Sequence, residues 1–288
     1  MNNCRAMPCG LARQPVSRIG KGQNTHTMSN ITEKIKDECV QILNLWKLNY
    51  RTRFTGTQIG KIWIGLSPLL QIGVYVFAFG FVFAGDGGNP LQHVIWLICG
   101  YGPWQAISEG IMSAANSLVA NRAILKNFDM RPYYFPIAAS LMGIPSICVV
   151  LIFASILVLA SGIGLSLYAL WLIVAIPLLF LIIMGIGLIV SSLVVFVRDL
   201  VQVLSVVLMM TMFFTPILYY PERLPPFLQG FVVLNPFYQI VEMYRSALYY
   251  QKNISLVGFL VVAAWIAVIW AAGWKLFKRL SGSFESAL

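Results

Sequence analysis

Few residues in this 288-residue chain could do chemistry, and their spacing limits what that chemistry could be. Gly56-Thr57-Gln58-Ile59-Gly60-Lys61-Ile62 comes nearest to a phosphate cradle. A P-loop needs four residues between its glycines and a Ser or Thr after the Lys to hold magnesium. Here three residues intervene and Ile62 follows, so the string is a decoy. Only two histidines are present, His26 and His93, and no Ser/His/Asp set, paired-carboxylate site or HExxH helix can be assembled around them. Cys4, Cys9, Cys39, Cys99 and Cys148 lack CxxC spacing and form no disulfide framework. Cys99 and Cys148 lie inside apolar runs, where a thiol behaves as a small hydrophobe. Neither an active site nor a metal or cofactor site of the chain's own is expected.

Two sets of residues remain. Glu109 is the one acid inside a long apolar run. A charge at mid-membrane costs roughly 2.5–3.5 kcal/mol on insertion scales, so it must face a partner or a cavity. It serves either as a polar element of a pathway or gate, or as a structural tie to a neighbouring helix. Aromatic residues make up 13% of the chain. Trp46, Trp63, Trp104, Tyr219, Tyr220 and Trp274 stand near the ends of apolar runs, where Trp and Tyr anchor helices at the membrane boundary. The alternative is a pathway whose aromatic faces meet the apolar faces of sugar rings, for which Trp63, Tyr75, Trp104, Phe213 and Phe214 are candidates.

The elements that position these residues are membrane helices. The chain is 59% hydrophobic and 10% charged, with mean hydropathy +0.79. Soluble domains carry about 25% charged residues, so too few remain to cover a water-facing surface. Six runs approach or exceed the roughly 20 apolar residues needed to cross a bilayer: Ile62–Ala84, His93–Val119, Tyr133–Ser161, Tyr168–Val197, Leu200–Tyr220 and Ile254–Trp274. The second run is interrupted by Gly100, Gly102 and Pro103. The expected fold is an all-α integral membrane protein with six transmembrane helices. Residues 1–37 form a disordered cytoplasmic tail, 38–280 the membrane domain and 281–288 a cytoplasmic C-terminal tail. Translation from Met28 would remove Arg5, Arg13, Arg18 and Lys21 and leave the membrane domain whole.

Before the first run, residues 38–56 read as an amphipathic helix lying in the headgroup plane. Cys39, Ile42, Leu43, Trp46, Tyr50 and Phe54 share one face, and Gln41, Asn44, Lys47, Arg51 and Thr55 another. The net charge of +10 is distributed beside the apolar runs, which argues for membrane orientation and against nucleic acid. With the N-terminus inside, seventeen Lys and Arg fall on the cytoplasmic side and three, Arg223, Arg245 and Lys252, outside. Both termini are therefore expected in the cytoplasm.

The external segment 221–253 is too apolar for a solvated loop, and its apolar pieces are too short to span. It reads as short re-entrant or interfacial helices starting at Pro225, Pro226 and Pro236.

Several strings together resemble the membrane subunit of type-2 ABC exporters for polysaccharide, the permeases for O-antigen, capsule and wall teichoic acid. A basic amphipathic stretch, Trp46-Lys47 through Tyr50-Arg51, leads through Gly56 to Trp63 and Pro68. Gly100, Pro103, Trp104 and Glu109 match the second span. Asn121-Arg122 to Lys126 and Tyr134-Phe135-Pro136 follow, then Arg198-Asp199 after the fourth span. Thr215-Pro216-Ile217, Tyr220-Pro221, Leu224-Pro225, Leu234-Asn235-Pro236, Glu242 and Arg245 match the external segment. The likeness covers residues 38–280. Asn127 through Pro132 and Ile137 depart from it, where the family often carries a basic doublet and an acidic–basic pair.

The resemblance implies a homodimer in the bacterial inner membrane with a pathway between protomers. Two copies of a separate ATPase subunit would carry ATP and magnesium and dock on the cytoplasmic side. The cargo it implies is a lipid-linked glycan; on the same scaffold it could be teichoic acid, capsule, a lipid or a drug. Lys47, Arg51, Asn121, Arg122, Lys126, Arg198 and Asp199 would couple to the ATPase, or else set topology and meet anionic membrane lipids. Pro216, Tyr219, Tyr220, Pro221, Asn235, Pro236, Glu242 and Arg245 would form an external gate, or else a simple interfacial cap. A secondary transporter would place more ionisable groups in the bundle and show internal repeats, and neither is evident. A membrane enzyme acting on lipid-linked sugars would need convergent acids or a metal site.

Overall fold

A computed structural model describes residues 27–53, 60–78, 90–128, 130–162 and 164–287, and their regular elements are all helices. In chain order these are α1 Thr27–Arg53, α2 Trp63–Tyr75, α3 Pro90–Ala120, α4 Arg122–Asn127, α5 Tyr134–Ser140 and α6 Ile144–Ala160. Then come α7 Leu172–Val194, α8 Leu200–Phe214, α9 Pro226–Leu234, α10 Pro236–Leu248, α11 Leu256–Ser281 and α12 Phe284–Ala287. The expected tail up to residue 26, most of the P-loop-like string and the end of the first apolar run lie outside the described residues.

Three helical stretches are long and apolar enough to cross a membrane: Tyr134–Ala160, Leu167–Val194 and Leu256–Ser281. Gly65–Ala78 and Leu200–Phe214 are shorter apolar helices. Much of their surface is exposed and apolar: Ile152 and Ile156 on α6, Ile173 on α7, Val203 and Met210 on α8, and Leu260 and Val268 on α11. Side chains of this kind require lipid as their solvent, so the chain is a multi-pass membrane protein.

α3 is the axis of the fold, packing against α2, α5, α6, α7, α8 and α10. From Ile95 to Ile98 its residues are wholly buried, which explains why this half is apolar all round rather than on one stripe. Gly100, Gly102 and Pro103 do not break it; α3 runs through them. At Gly100 the reason is a close approach. A Cβ there would lie 2.5 Å from Nη2 of Arg245, so only glycine leaves space for that guanidinium. At Gly143, in the turn joining α5 to α6, a Cβ would lie 2.6 Å from the carbonyl oxygen of Ala106, so the two backbones touch.

Two boundaries differ from the sequence expectation. α1 extends back to Thr27, into residues assigned above to the tail; Lys34 and Glu38 stand four apart there, a spacing that supports a solvated helix. The fifth apolar run ends as a helix at Phe214 rather than near Tyr220. Pro216 disfavours the α conformation in the residue before it, and Thr215 is extended (φ −95°, ψ 124°).

α10 begins on an N-cap. The side chain of Asn235 accepts from the backbone N–H of Phe237 (2.9 Å) and of Tyr238 (3.4 Å), with Pro236 at the first helical position. Its Nδ2 donates to Thr215 Oγ1 at 3.0 Å, tying α10 to the turn after α8.

Candidate functional site

An open cleft of about 620 Å3 has a polar, aromatic wall. Trp63, Ser67, Gln71 and Tyr75 recur every four residues and give α2 one continuous stripe facing it. Tyr101, Trp104, Gln105, Ser108, Glu109 and Met112 form the matching stripe of α3. The N-terminal helix closes one end with Tyr50 and Arg53, α6 adds Pro145 and Ser146, and α8 adds Ser205, Leu208, Met209 and Met212.

Polar groups in this wall are held in place. Tyr101 donates through its hydroxyl to Gln71 Oε1 at 3.0 Å, and its ring lies 4.7 Å from that of Tyr75. Trp104 stands edge-on to Phe237 of α10, with centroids 5.8 Å apart. Such a surface offers hydroxyls, amides and flat aromatic faces, the groups that match the hydroxyls and apolar faces of a sugar.

Glu109 sits in this cleft and accepts hydrogen bonds from Arg53 and from the Ser146 hydroxyl. The acid is therefore both a cavity residue and a tie between α1, α3 and α6. Arg53 and Ser146 were not singled out from sequence, because the partners are separated by 56 and 37 residues.

Of the candidate pathway aromatics, Trp63, Tyr75 and Trp104 line the cleft. Phe213 and Phe214 are not among its lining residues; they end α8 and are exposed. Gln71 and Tyr101 were missed because polar residues on an apolar helix carry no signal until a second helix faces them.

The candidate coupling residues lie on elements that share a second apolar cluster. It combines Leu45 of α1, Leu125 of α4, Tyr134 and Phe135 of α5, Leu188 and Val195 at the end of α7, Phe277 of α11 and Phe284 of α12. Around it Lys47 and Arg51 are exposed on α1, Arg122 and Lys126 on α4, and Arg198 and Asp199 in the turn before α8. Asn121 precedes α4 and its Nδ2 donates to Ser117 O at 2.8 Å. Trp46 fixes α1 by donating from its indole N–H to Leu141 O at 3.1 Å.

One of the candidate gate residues, Arg245, is a buried cation. Arg245 is fully buried and donates from Nη1 to Pro216 O (3.1 Å), from Nη2 to Ile217 O (2.7 Å) and from Nε to Trp96 O (3.4 Å). Its guanidinium carbon lies 3.5 Å from the centroid of a Trp96 ring. Arg245 is thus a pin between α10, α3 and the turn after α8. The Tyr220 ring lies tilted against that of Trp96, with centroids 4.3 Å apart, and its hydroxyl lies 3.1 Å from His93 Nδ1. Tyr219 donates to Phe213 O at 2.7 Å, and Pro221 opens a short 3-10 turn. Pro236 is buried at the start of α10. Glu242 pairs with Lys252 at 3.6 Å; burial raises its pKa, partly opposed by Arg245 and Lys252.

Among the described residues no group of three or more His, Cys, Asp or Glu could hold a metal. The fold is that of an all-helical, multi-pass membrane protein with a polar cleft. The chain belongs to the ABC-2 type transporter family, which matches residues 41–249. It is similar to an O-antigen export system permease protein RfbA from Klebsiella pneumoniae, 27% identical over 244 residues, covering 83% of this chain and 91% of that protein. A second Klebsiella pneumoniae protein of that name is 24% identical over 247 residues, with 83% and 91% covered. One from Myxococcus xanthus is 23% identical over 255 residues, with 86% and 95% covered.

Proposed function

We propose that this chain is the membrane subunit of an ABC exporter that moves a lipid-linked, O-antigen-like glycan across the bacterial inner membrane. The observation that carries the reading is the likeness to O-antigen export permeases along 91% or more of their own length. The cleft is consistent with it, because its aromatic and hydroxyl-bearing wall suits a sugar chain rather than a small ion.

In this reading six segments cross the bilayer: α2, α3, α5 with α6, the stretch ending in α7, α8, and α11. α9 and α10 are the re-entrant pair on the external side, and α1 lies at the cytoplasmic interface with both termini inside. Two protomers face each other across their clefts, and two ATPase subunits bind the end that carries α4 and the turn before α8. ATP and magnesium belong to that partner. ATPase closure moves α1 and α4, and the tie from Arg53 to Glu109 passes the motion to the cleft.

The test is deletion of the gene followed by staining of surface glycan. Loss of surface glycan with lipid-linked glycan accumulating inside is expected; unchanged surface glycan would sink the proposal. The purified chain alone hydrolyses no ATP, and Arg122→Glu weakens recovery of the ATPase in pull-down.

A further inference from the structure

The apolar stretch Tyr134–Ala160 is long enough to cross a membrane, yet it is not one regular helix. α5 ends at Ser140, Leu141–Gly143 form a 3-10 turn, and α6 begins at Ile144. Pro145 gives the reason. In a continuous α-helix the carbonyl of Leu141 would accept from the N–H of residue 145, and a proline has none. The chain tightens instead: Leu141 O accepts from Ile144 N–H, three residues on, with Leu141 at φ −76°, ψ −1°.

That carbonyl has a second donor. The indole N–H of Trp46, 95 residues away on α1, reaches Leu141 O at 3.1 Å. A tryptophan that only anchored α1 at the membrane boundary would turn its N–H to headgroups or water. Here the N–H is spent on another helix's backbone. The Trp46 ring is itself seated, stacked on Tyr50 with centroids 5.7 Å apart and packed against the cluster that holds Leu125 and Phe135. Two turns further along α1, Arg53 ties to Glu109, which also accepts from Ser146 on the first turn of α6. α1 therefore reaches the joint on both sides of Pro145. α3 holds it at two further points: Gly143 lies against Ala106, and a Cβ on Gly110 would stand 2.7 Å from Ser140 O. What the joint carries is cleft wall, for Met142, Pro145 and Ser146 all line it.

We propose that Trp46 is a positioning residue. By donating to the carbonyl that Pro145 leaves without its α-helical partner, it transmits the position of α1 to the joint and so to the cleft wall. That role rests on α1 being the element that the ATPase moves, as read above, but the contact is testable without ATPase or cargo.

The experiment is amide hydrogen exchange, read by mass spectrometry on the full chain in non-ionic detergent, comparing peptides over the joint with peptides over α7. Trp46→Phe keeps a ring and loses the donor. Exchange at the joint is expected to rise about fivefold, the worth of one neutral hydrogen bond, with α7 unchanged. Adding Pro145→Ala supplies the missing backbone N–H and restores protection. Ile42→Ala, one turn before Trp46, loosens the seat of α1. It speeds exchange at the joint in wild type but adds nothing in Trp46→Phe, where the route is already cut. Equal exchange in wild type and Trp46→Phe, a rise shared by α7, no rescue by Pro145→Ala, or additive effects of Ile42→Ala and Trp46→Phe would each overturn the proposal. Transport is read separately by surface-glycan staining, where Trp46→Phe lowers export by about the same factor while the ATPase is still recovered in pull-down. Full export with a fast-exchanging joint would overturn the positioning role. A wild type that exports no glycan would instead refute the exporter reading, and the exchange results would still decide the contact.

Discussion

Replacing Gly100 by Ala tests whether the buried cation organises the fold. By helix propensity alone the change stabilises a helix interior by about 0.8–1 kcal/mol. At this position, however, the new Cβ would lie 2.5 Å from Nη2 of Arg245 and 3.0 Å from its Cζ. The guanidinium cannot retreat, because it is fully buried and held by three carbonyls. Overpacking costs about 1–3 kcal/mol, and lengthening the Nη2 bond to Ile217 forfeits part of a charge-assisted bond of about 1.5–3 kcal/mol. The net expectation is a loss of about 1–4 kcal/mol, or roughly 2–15 °C in melting temperature. The assay is thermal unfolding of the detergent-solubilised protein followed by tryptophan fluorescence. Gly73→Ala in α2 is the control: nothing lies within 4 Å of its Cβ, so it melts at or slightly above wild type. Adding Arg245→Met to Gly100→Ala removes the obstacle, so the double variant loses less than the sum of the singles. A Gly100→Ala variant as stable as Gly73→Ala would refute the reasoning.

Three other changes probe separate features. Arg53→Glu is expected to cost less than about 1 kcal/mol in stability, because Arg53 is 43% exposed and screened, yet to abolish glycan export; the Arg53→Glu/Glu109→Arg exchange restores part of it in a surface-glycan assay. Tyr244 is buried, and its hydroxyl has no hydrogen-bond partner among the described residues, so Tyr244→Phe is expected to stabilise by about 1 kcal/mol in the melting assay. Glu242 has its pKa raised by burial above 4.5, so folding favours its neutral form. The stability this contributes at low pH is lost as pH rises through the raised value. The melting temperature of wild type should therefore fall relative to Glu242→Gln as pH rises from 4.5 through the raised value; parallel curves would remove the burial argument.

Much of the fold was legible in the sequence because lipid imposes a one-dimensional rule. Runs such as Tyr133–Ser161 and Tyr168–Val197 declare themselves by composition, and the structure places long apolar helices over both. Pro226 and Pro236 stand at the starts of α9 and α10, since a proline lacks the N–H that a helix start leaves unpaired. The absence of a P-loop was equally local information.

Pairing was not legible. Glu109 announced that it needed a partner, but the choice of Arg53 and Ser146 depends on how α1 and α6 pack against α3. Arg245 looked like an external charge from its place in the chain and is a wholly buried pin in the structure. Trp63, Tyr75 and Trp104 share a wall that Phe213 and Phe214 do not join, although all five read alike as aromatics near apolar runs. Solvent preference is a property each segment carries by itself, and so the sequence determined that this is a bundle of membrane helices. A cleft and a buried cation exist only where distant segments meet, and close packing at glycines such as Gly100 decides which ones do.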